Sequence, residues 1–216
     1  YLVNGLDDGI ILNEEGRTFL QSGKNEERFG EDNNGEPMLT GRLALVHHKW
    51  GEFGISYYGG AYNSFKLEGE EVDEKRNLSI LAFDFDTNIG KAALRGEFAL
   101  NRIDVPEDIS EIYGKKQWGG YAEVVYPIIR RNILNYENAA VNANLRLERI
   151  DYNQGKFSST QKNIYDEVNA VVFGLSFRPN SNTVYRANYR RHWVRDILGN
   201  PTVHIGGFQF GVATYF

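Results

Sequence analysis

Phe208-Gln209-Phe210-Gly211-Val212-Ala213-Thr214-Tyr215-Phe216, the last stretch of the chain, alternates along its whole length. Successive side chains of an extended strand point to opposite faces. Phe208, Phe210, Val212, Thr214 and Phe216 therefore share one face, and Gln209, Gly211, Ala213 and Tyr215 share the other. The first face is bulky and mostly apolar; the second is small or polar. Such a strand suits hydrocarbon on one side and water on the other.

The same beat recurs upstream. Alternating segments lie at Met38–His48, Phe53–Asn63, Leu78–Asp86, Ala92–Arg102, Trp118–Pro127, Ala139–Ile150, Ala170–Arg178, Thr183–Arg195 and Ile205–Phe216. Each has the length a tilted strand needs to cross a bilayer. No segment holds a 3.6-residue period over three turns, so helices are expected to be local at most. Connections alternate in length. Lys49–Glu52, Thr87–Gly90 and Pro179–Asn182 are tight and rich in turn formers, with Ile128–Asn138 a longer member of the same set. Ser64–Asn77, Ile103–Lys116, Asp151–Asn169 and Asp196–His204 are long and charged. Short turns at one end and long loops at the other are what an up-and-down barrel in a membrane shows.

Composition narrows the classes. The chain has 216 residues, no Cys and a formal net charge of −5, which gives no basic face for nucleic acid. No run of 18 apolar residues exists, so no membrane-spanning helix is expected; barrel strands escape that test because only alternate residues meet lipid. Tyr1 is not a start residue and no basic leader follows it. Tyr1–Gly5 reads as the end of a strand too short to span, feeding an acidic, Gly/Asn-rich loop over residues 6–36. A stub cannot close a barrel. The expected fold is all-β: an antiparallel up-and-down transmembrane β-barrel. About nine full strands and an N-terminal stub fall in this chain, as the C-terminal portion (residues 1–216) of a sixteen- to eighteen-stranded barrel.

Lipid tolerance sets the phase of each strand. Leu39, Leu43 and Leu45 are expected outside, with Thr40, Arg42 and His48 inside; Leu94, Phe98 and Leu100 outside, with Arg95, Glu97 and Asn101 inside. Tyr121 and Glu123, Arg146 and Glu148, and Arg186, Arg190 and His192 likewise turn inward. The candidate pore lining is therefore Arg42, Arg95, Glu97, Glu123, Arg146, Glu148, Arg186 and Arg190. Five Arg against three Glu predicts a weakly positive lumen with a mild anion preference. Tyr57, Trp118, Tyr126, Tyr185, Trp193 and Phe216 are candidates for interfacial aromatic belts.

Gly207–Phe216, Gly174-Leu175-Ser176-Phe177-Arg178-Pro179 and Gly119-Gly120-Tyr121-Ala122-Glu123-Val124-Val125-Tyr126 resemble the C-terminal half of Gram-negative outer-membrane porins, the broad group that includes phosphate-selective members. The resemblance implies a water-filled channel in the cell outer membrane for passive diffusion of small hydrophilic solutes. It implies outer-membrane lipid and lipopolysaccharide as surroundings, the barrel-assembly machinery as reader of the terminal strand, a homo-oligomer or larger surface complex as partner, and no cofactor. Phosphate-selective members carry a ladder of Arg and Lys, whereas the inward Arg here are mixed with Glu.

Two other classes were weighed. A structural or docking barrel of a surface or secretion assembly would use the acidic loops as contact surface. An omptin-like surface protease would need Asp84 and Asp86 beside a His–Asp pair, but His192, Asp196 and His204 are expected at the opposite rim, leaving the two aspartates as solvated rim carboxylates. No Gly-x-Ser-x-Gly occurs, so no acyl hydrolase is expected. His47 and His48, on opposite faces of one strand, are not expected to share a metal. Asp32–Glu36 reads as a solvated turn.

Overall fold

The structure, a computed structural model, describes residues 1–24, 34–109, 111–133 and 135–215. Fourteen strands occur: β1 Leu2–Val3, β2 Met38–His47, β3 Gly51–Ala61, β4 Lys66–Leu67, β5 Glu70–Glu71, β6 Asn77–Ile89 and β7 Ala92–Ile103 come first. β8 Lys116–Ile133, β9 Tyr136–Asp151, β10 Gly155–Lys156, β11 Asn163–Ile164, β12 Glu167–Arg178, β13 Thr183–Arg195 and β14 Val203–Thr214 follow. Ten form one sheet in the order β1-β2-β3-β6-β7-β8-β9-β12-β13-β14, each pair antiparallel. The short pairs β4–β5 and β10–β11 are hairpins inside two of the long connections. Nine long strands and a stub thus form an all-β antiparallel meander, with every long connection at one end and every tight turn at the other.

Strand ends differ from expectation where turn formers join the ladder. Thr87, Asn88 and Ile89 pair with Leu94, Ala93 and Ala92, leaving Gly90, in the left-handed region at φ +61°, to make the turn. The longer connection expected over 128–138 is mostly strand, because β8 runs to Ile133 and β9 starts at Tyr136. Its register shifts between Pro127 and Ile129, where proline supplies no N–H and the ladder takes up a bulge.

The sheet is open. Among the described residues β14 pairs only with β13, and β2 carries only the two-residue β1 on its outer side. No closed barrel forms among them.

The buried core sits at the long-connection end. Ile10, Ile11, Met38, Tyr62, Leu78 and Ile103 cluster there, with Leu6, Leu20, Tyr58 and Ile80 packed against them. Residues 6–24 are therefore not a loop standing clear of the sheet. They form a strap with two short 3-10 turns, Asp8–Ile10 and Leu20–Gly23, the first capped by the Asp7 side chain accepting from Gly9 N–H.

Candidate functional site: a charged wall and its strap

Register places the expected sets on opposite faces. Leu43–Ile55–Phe83–Phe98 make one cross-strand row, and Leu145–Phe173–Tyr189–Phe208 another. This face is uncovered: Leu43 is 75% exposed, Phe173 62% and Phe208 73%. Tyr57 and Trp118 share a row at the long-connection end, through Leu81 and Leu100, and Trp193 lies one row further in. Tyr185 stacks on Phe177 at 6.4 Å near the tight-turn end, where Tyr126 also lies. Phe216 lies outside the described residues.

Along β12 the two aromatic levels, at Glu167 and Phe177, are ten residues apart. At about 3.3 Å per residue that is roughly 33 Å of strand, or about 25 Å of height at a 35–45° tilt. Arginines interrupt this face in three successive rows: Arg195 at the Glu167 level, Arg149 one row further in, and Arg191 in the next, the row of Val171 and Leu147. Arg149 pairs with Glu167 at 3.0 Å and stacks on Trp118, and Arg191 lies 3.3 Å from His204 Nδ1.

The opposite face carries the charges. All eight candidate lining residues lie on it: Arg42, Arg95, Glu97, Glu123, Arg146, Glu148, Arg186 and Arg190. One row runs Ala44–Gly54–Asp84–Glu97–Tyr121–Glu148–Ala170–His192. The next runs Val46–Glu52–Asp86–Arg95–Glu123–Arg146–Val172–Arg190.

Most charges are paired across strands. Arg42 bridges Glu52 and Asp84, each at 2.6 Å; Arg95 meets Asp86 at 2.9 Å. Glu148 holds Arg146 at 2.7 Å and Arg190 at 2.6 Å. The Arg146 Nε–Glu148 contact is an ion pair off the line a hydrogen bond requires, and the guanidinium also lies 3.7 Å from the Tyr121 ring centre. Arg42 reaches Asp84 across β3 because Gly54 stands between them; a Cβ there would run into both side chains.

Three expectations change. Asp84 and Asp86 are not free rim carboxylates; they sit in the wall, in ion pairs with Arg42 and Arg95. The face therefore carries six carboxylates (Glu52, Asp84, Asp86, Glu97, Glu123, Glu148), and Arg130 and Arg178, both opposite Ala140, join the five expected Arg on it, so the surplus is seven against six. The signal was present in the alternation of Leu81, Phe83 and Phe85 with Asp84 and Asp86. Charge is divided across the wall. β2 to β8 carry Arg42, Arg95 and Arg130 against Glu52, Asp84, Asp86, Glu97 and Glu123 (3 − 5 = −2), while β9 to β13 carry Arg146, Arg178, Arg186 and Arg190 against Glu148 (4 − 1 = +3).

His192 lies in the same cross-strand row as Asp84, five strand positions away, or about 24 Å along the sheet. His48 falls in the turn after β2, and its ring lies 4.5 Å from that of His47, so opposite strand faces do not separate them. Among the described residues no group of three or more His, Cys, Asp or Glu could hold a metal. Asp32 and Asn33 lie outside the described residues, while the Asn34 amide donates to the carbonyls of Ala61 and Asn63.

The strap crosses this charged face at its long-connection end. Gln117, in the row Thr40–Tyr58–Ile80–Asn101–Gln117, donates through Nε2 to Thr18 O at 2.9 Å. Asp8 accepts from Ser64 N–H at 2.9 Å, and Tyr62, its phenol pushed up to about 12 by burial, donates to Asp104 O at 2.6 Å. At the far end Arg17 pairs with Asp166 at 2.8 Å and lies over the Tyr152 ring. Burial raises the Asp166 carboxyl above its ordinary value, partly offset by Arg17. Sequence reasoning missed this strap because its residues have no period and its partners are far away in the chain.

Comparison with protein families, characterised proteins and solved structures found no match to this chain.

Proposed function

We propose that this sheet is the wall of an outer-membrane β-barrel channel through which small hydrophilic solutes diffuse passively. One observation carries the reading: a single sheet bears a broad uncovered apolar face and, on its reverse, a band of paired charges. In a soluble sandwich the apolar face would pack on a second layer, and none covers it among the described residues. Charges in a dry core would be costly even when paired, so the charged face belongs to water. The two aromatic levels lie about 25 Å apart, the separation of the girdles that flank the hydrocarbon band of such barrels.

Division of charge along the wall supports a transverse field acting on passing solutes, and the strap narrows the passage at one mouth. The strap's own buried core also favours a second reading, in which the passage is plugged and the barrel serves to anchor or dock an assembly. Planar-bilayer recording separates the two. Ohmic single-channel openings are expected, and a correctly folded, inserted protein that stays silent would sink the channel reading and leave the docking one.

A further inference from the structure

Between the strap and the charged wall lies a cavity of about 420 Å³ whose lining includes Phe19, Leu20, Glu97, Asn101, Tyr121 and Arg146. Its chemistry is lopsided. Arg146 is ion-paired with Glu148 and capped on one face by Tyr121, and its buried Nε donates no hydrogen bond. Glu148 in turn also holds Arg190, so two guanidiniums share one carboxylate. Glu97 is exposed and has no cationic partner among the described residues. Asn101 Oδ1, four residues along the same strand and on the same face, is a buried acceptor with no donor. A buried acceptor without a donor costs about 1–3 kcal/mol, so such groups are normally satisfied by something. Ala99 between the two leaves the floor flat, and the Phe19 and Tyr121 rings offer stacking surface.

We infer that this cavity is a binding subsite for a cationic, hydroxylated solute, a protonated amine on a sugar-like body. The ammonium pairs with Glu97, a hydroxyl donates to Asn101 Oδ1, and the apolar face of the ring lies on Phe19 or Tyr121. An anion gains less: Arg146 and Arg190 already share Glu148, and Glu97 repels it. The inference rests on the proposed function only in taking this face to be water-filled, and it holds equally for an open or a plugged passage.

Three probes with one pyranose body separate charge from shape: glucosamine, glucose and glucuronate, titrated calorimetrically into the folded protein in detergent micelles. No bilayer is needed, so a silent channel does not confuse the result. Glucosamine is expected to bind about fivefold more tightly than glucose, as a partly exposed charge pair of about 1 kcal/mol implies, with glucuronate weakest. Glu97→Gln, at an exposed site, should bring glucosamine down to the level of glucose and leave glucose unchanged. Phe19→Ala should weaken both sugars together. Equal affinity for glucosamine and glucose, tightest binding of glucuronate, no measurable binding of any of the three, or glucosamine binding that survives Glu97→Gln would each overturn the assignment.

Discussion

Arg17 and Asp166 are 149 residues apart in sequence, and Arg17 Nη1 lies 2.8 Å from Asp166 Oδ1. The pair ties the far end of the strap to the entry of β12, with the Asp166 side chain only 11% exposed. At the near end the strap is held by apolar packing at Ile10, Ile11 and Met38. One end is therefore fixed by hydrophobic burial and the other by a partly buried ion pair. Release should begin at the ion pair, where few apolar contacts must be broken.

Arg17→Gln should loosen the strap without unfolding the sheet. The cost is about 1–2 kcal/mol, since the pair is shielded on the aspartate side but Arg17 remains in contact with water. Chymotryptic cleavage after Phe19 in folded protein should become severalfold faster, while the urea midpoint of the whole sheet moves little. A strap equally resistant in the variant would show that the packed end alone holds it.

Acidification tests the same contact, and the sign follows from burial. The folded-state pKa of Asp166 lies above its unfolded value, so the folded chain binds the proton more tightly there. Asp166 therefore lowers global stability as pH rises from the ordinary carboxylate value through its raised one, and contributes a constant term beyond. Locally the effect is opposite. The ion pair with Arg17 exists only above the raised pKa, so the strap end should loosen as pH falls through that window. Hydrogen exchange of residues 17–21 against pH should show this in the parent and not in Asp166→Asn. A flat profile in the parent would contradict it.

The faces of the wall predict a sharp difference between neighbours. Leu145 lies on the apolar face and Arg146 on the charged one. Leu145→Arg, in the row of Phe173, Tyr189 and Phe208 near mid-height, should cost about 2–4 kcal/mol of folding into lipid vesicles. Ala44→Arg, exposed on the charged face in the row of Asp84, should cost far less. Similar losses for both would mean that neither face meets lipid.

Two glycines of β3 should behave differently. Gly51 has φ +85°, and a Cβ there would strike the Asp86 carbonyl oxygen, which cannot yield without moving the backbone. Gly51→Ala should cost about 1–3 kcal/mol in urea unfolding from micelles. At Gly54 the obstacles are the ends of the Arg42 and Asp84 side chains, which can move aside. Gly54→Val should part that ion pair yet cost about 1 kcal/mol or less, because both partners are partly in water. A larger loss at Gly54 than at Gly51 would reverse the argument.

Period-two alternation made most of the wall legible. Val141, Ala143, Leu145 and Leu147 against Asn142, Asn144, Arg146 and Glu148 needs only strand geometry, and the register bears out that division. Strand ends were harder. Thr87, Asn88 and Ile89 look like a turn, but a neighbouring strand offers them partners, and pairing overrides their local preference. The strap was illegible for another reason. Ile10 and Ile11 find Met38, Tyr62, Leu78 and Ile103 only after three strands are assembled, so no local pattern marks them. The balance of charge is only partly legible: Glu52, Asp84, Asp86, Arg130 and Arg178 sit near strand ends or turn formers, where alternation alone does not show which residues belong to the wall.

The division of charge sets what the proposed channel should do. Seven arginines against six carboxylates leave the wall with no strong net sign, and its charge is sorted by position. The basic side depends on Arg146, Arg178, Arg186 and Arg190, of which Arg146 and Arg190 share Glu148. Arg186→Gln with Arg190→Gln should weaken the basic side and shift the reversal potential in a salt gradient toward cation preference. Glu148→Gln should shift it the other way, because two guanidiniums lose their partner while keeping their charge. Both shifts should shrink at high salt, where the Debye length falls to about 3 Å at 1 M. Unchanged selectivity in both variants would mean that these residues brace the wall and leave permeating ions unsorted. Shifts of the same sign in both directions of charge change would point to an altered strap rather than to the field of the wall.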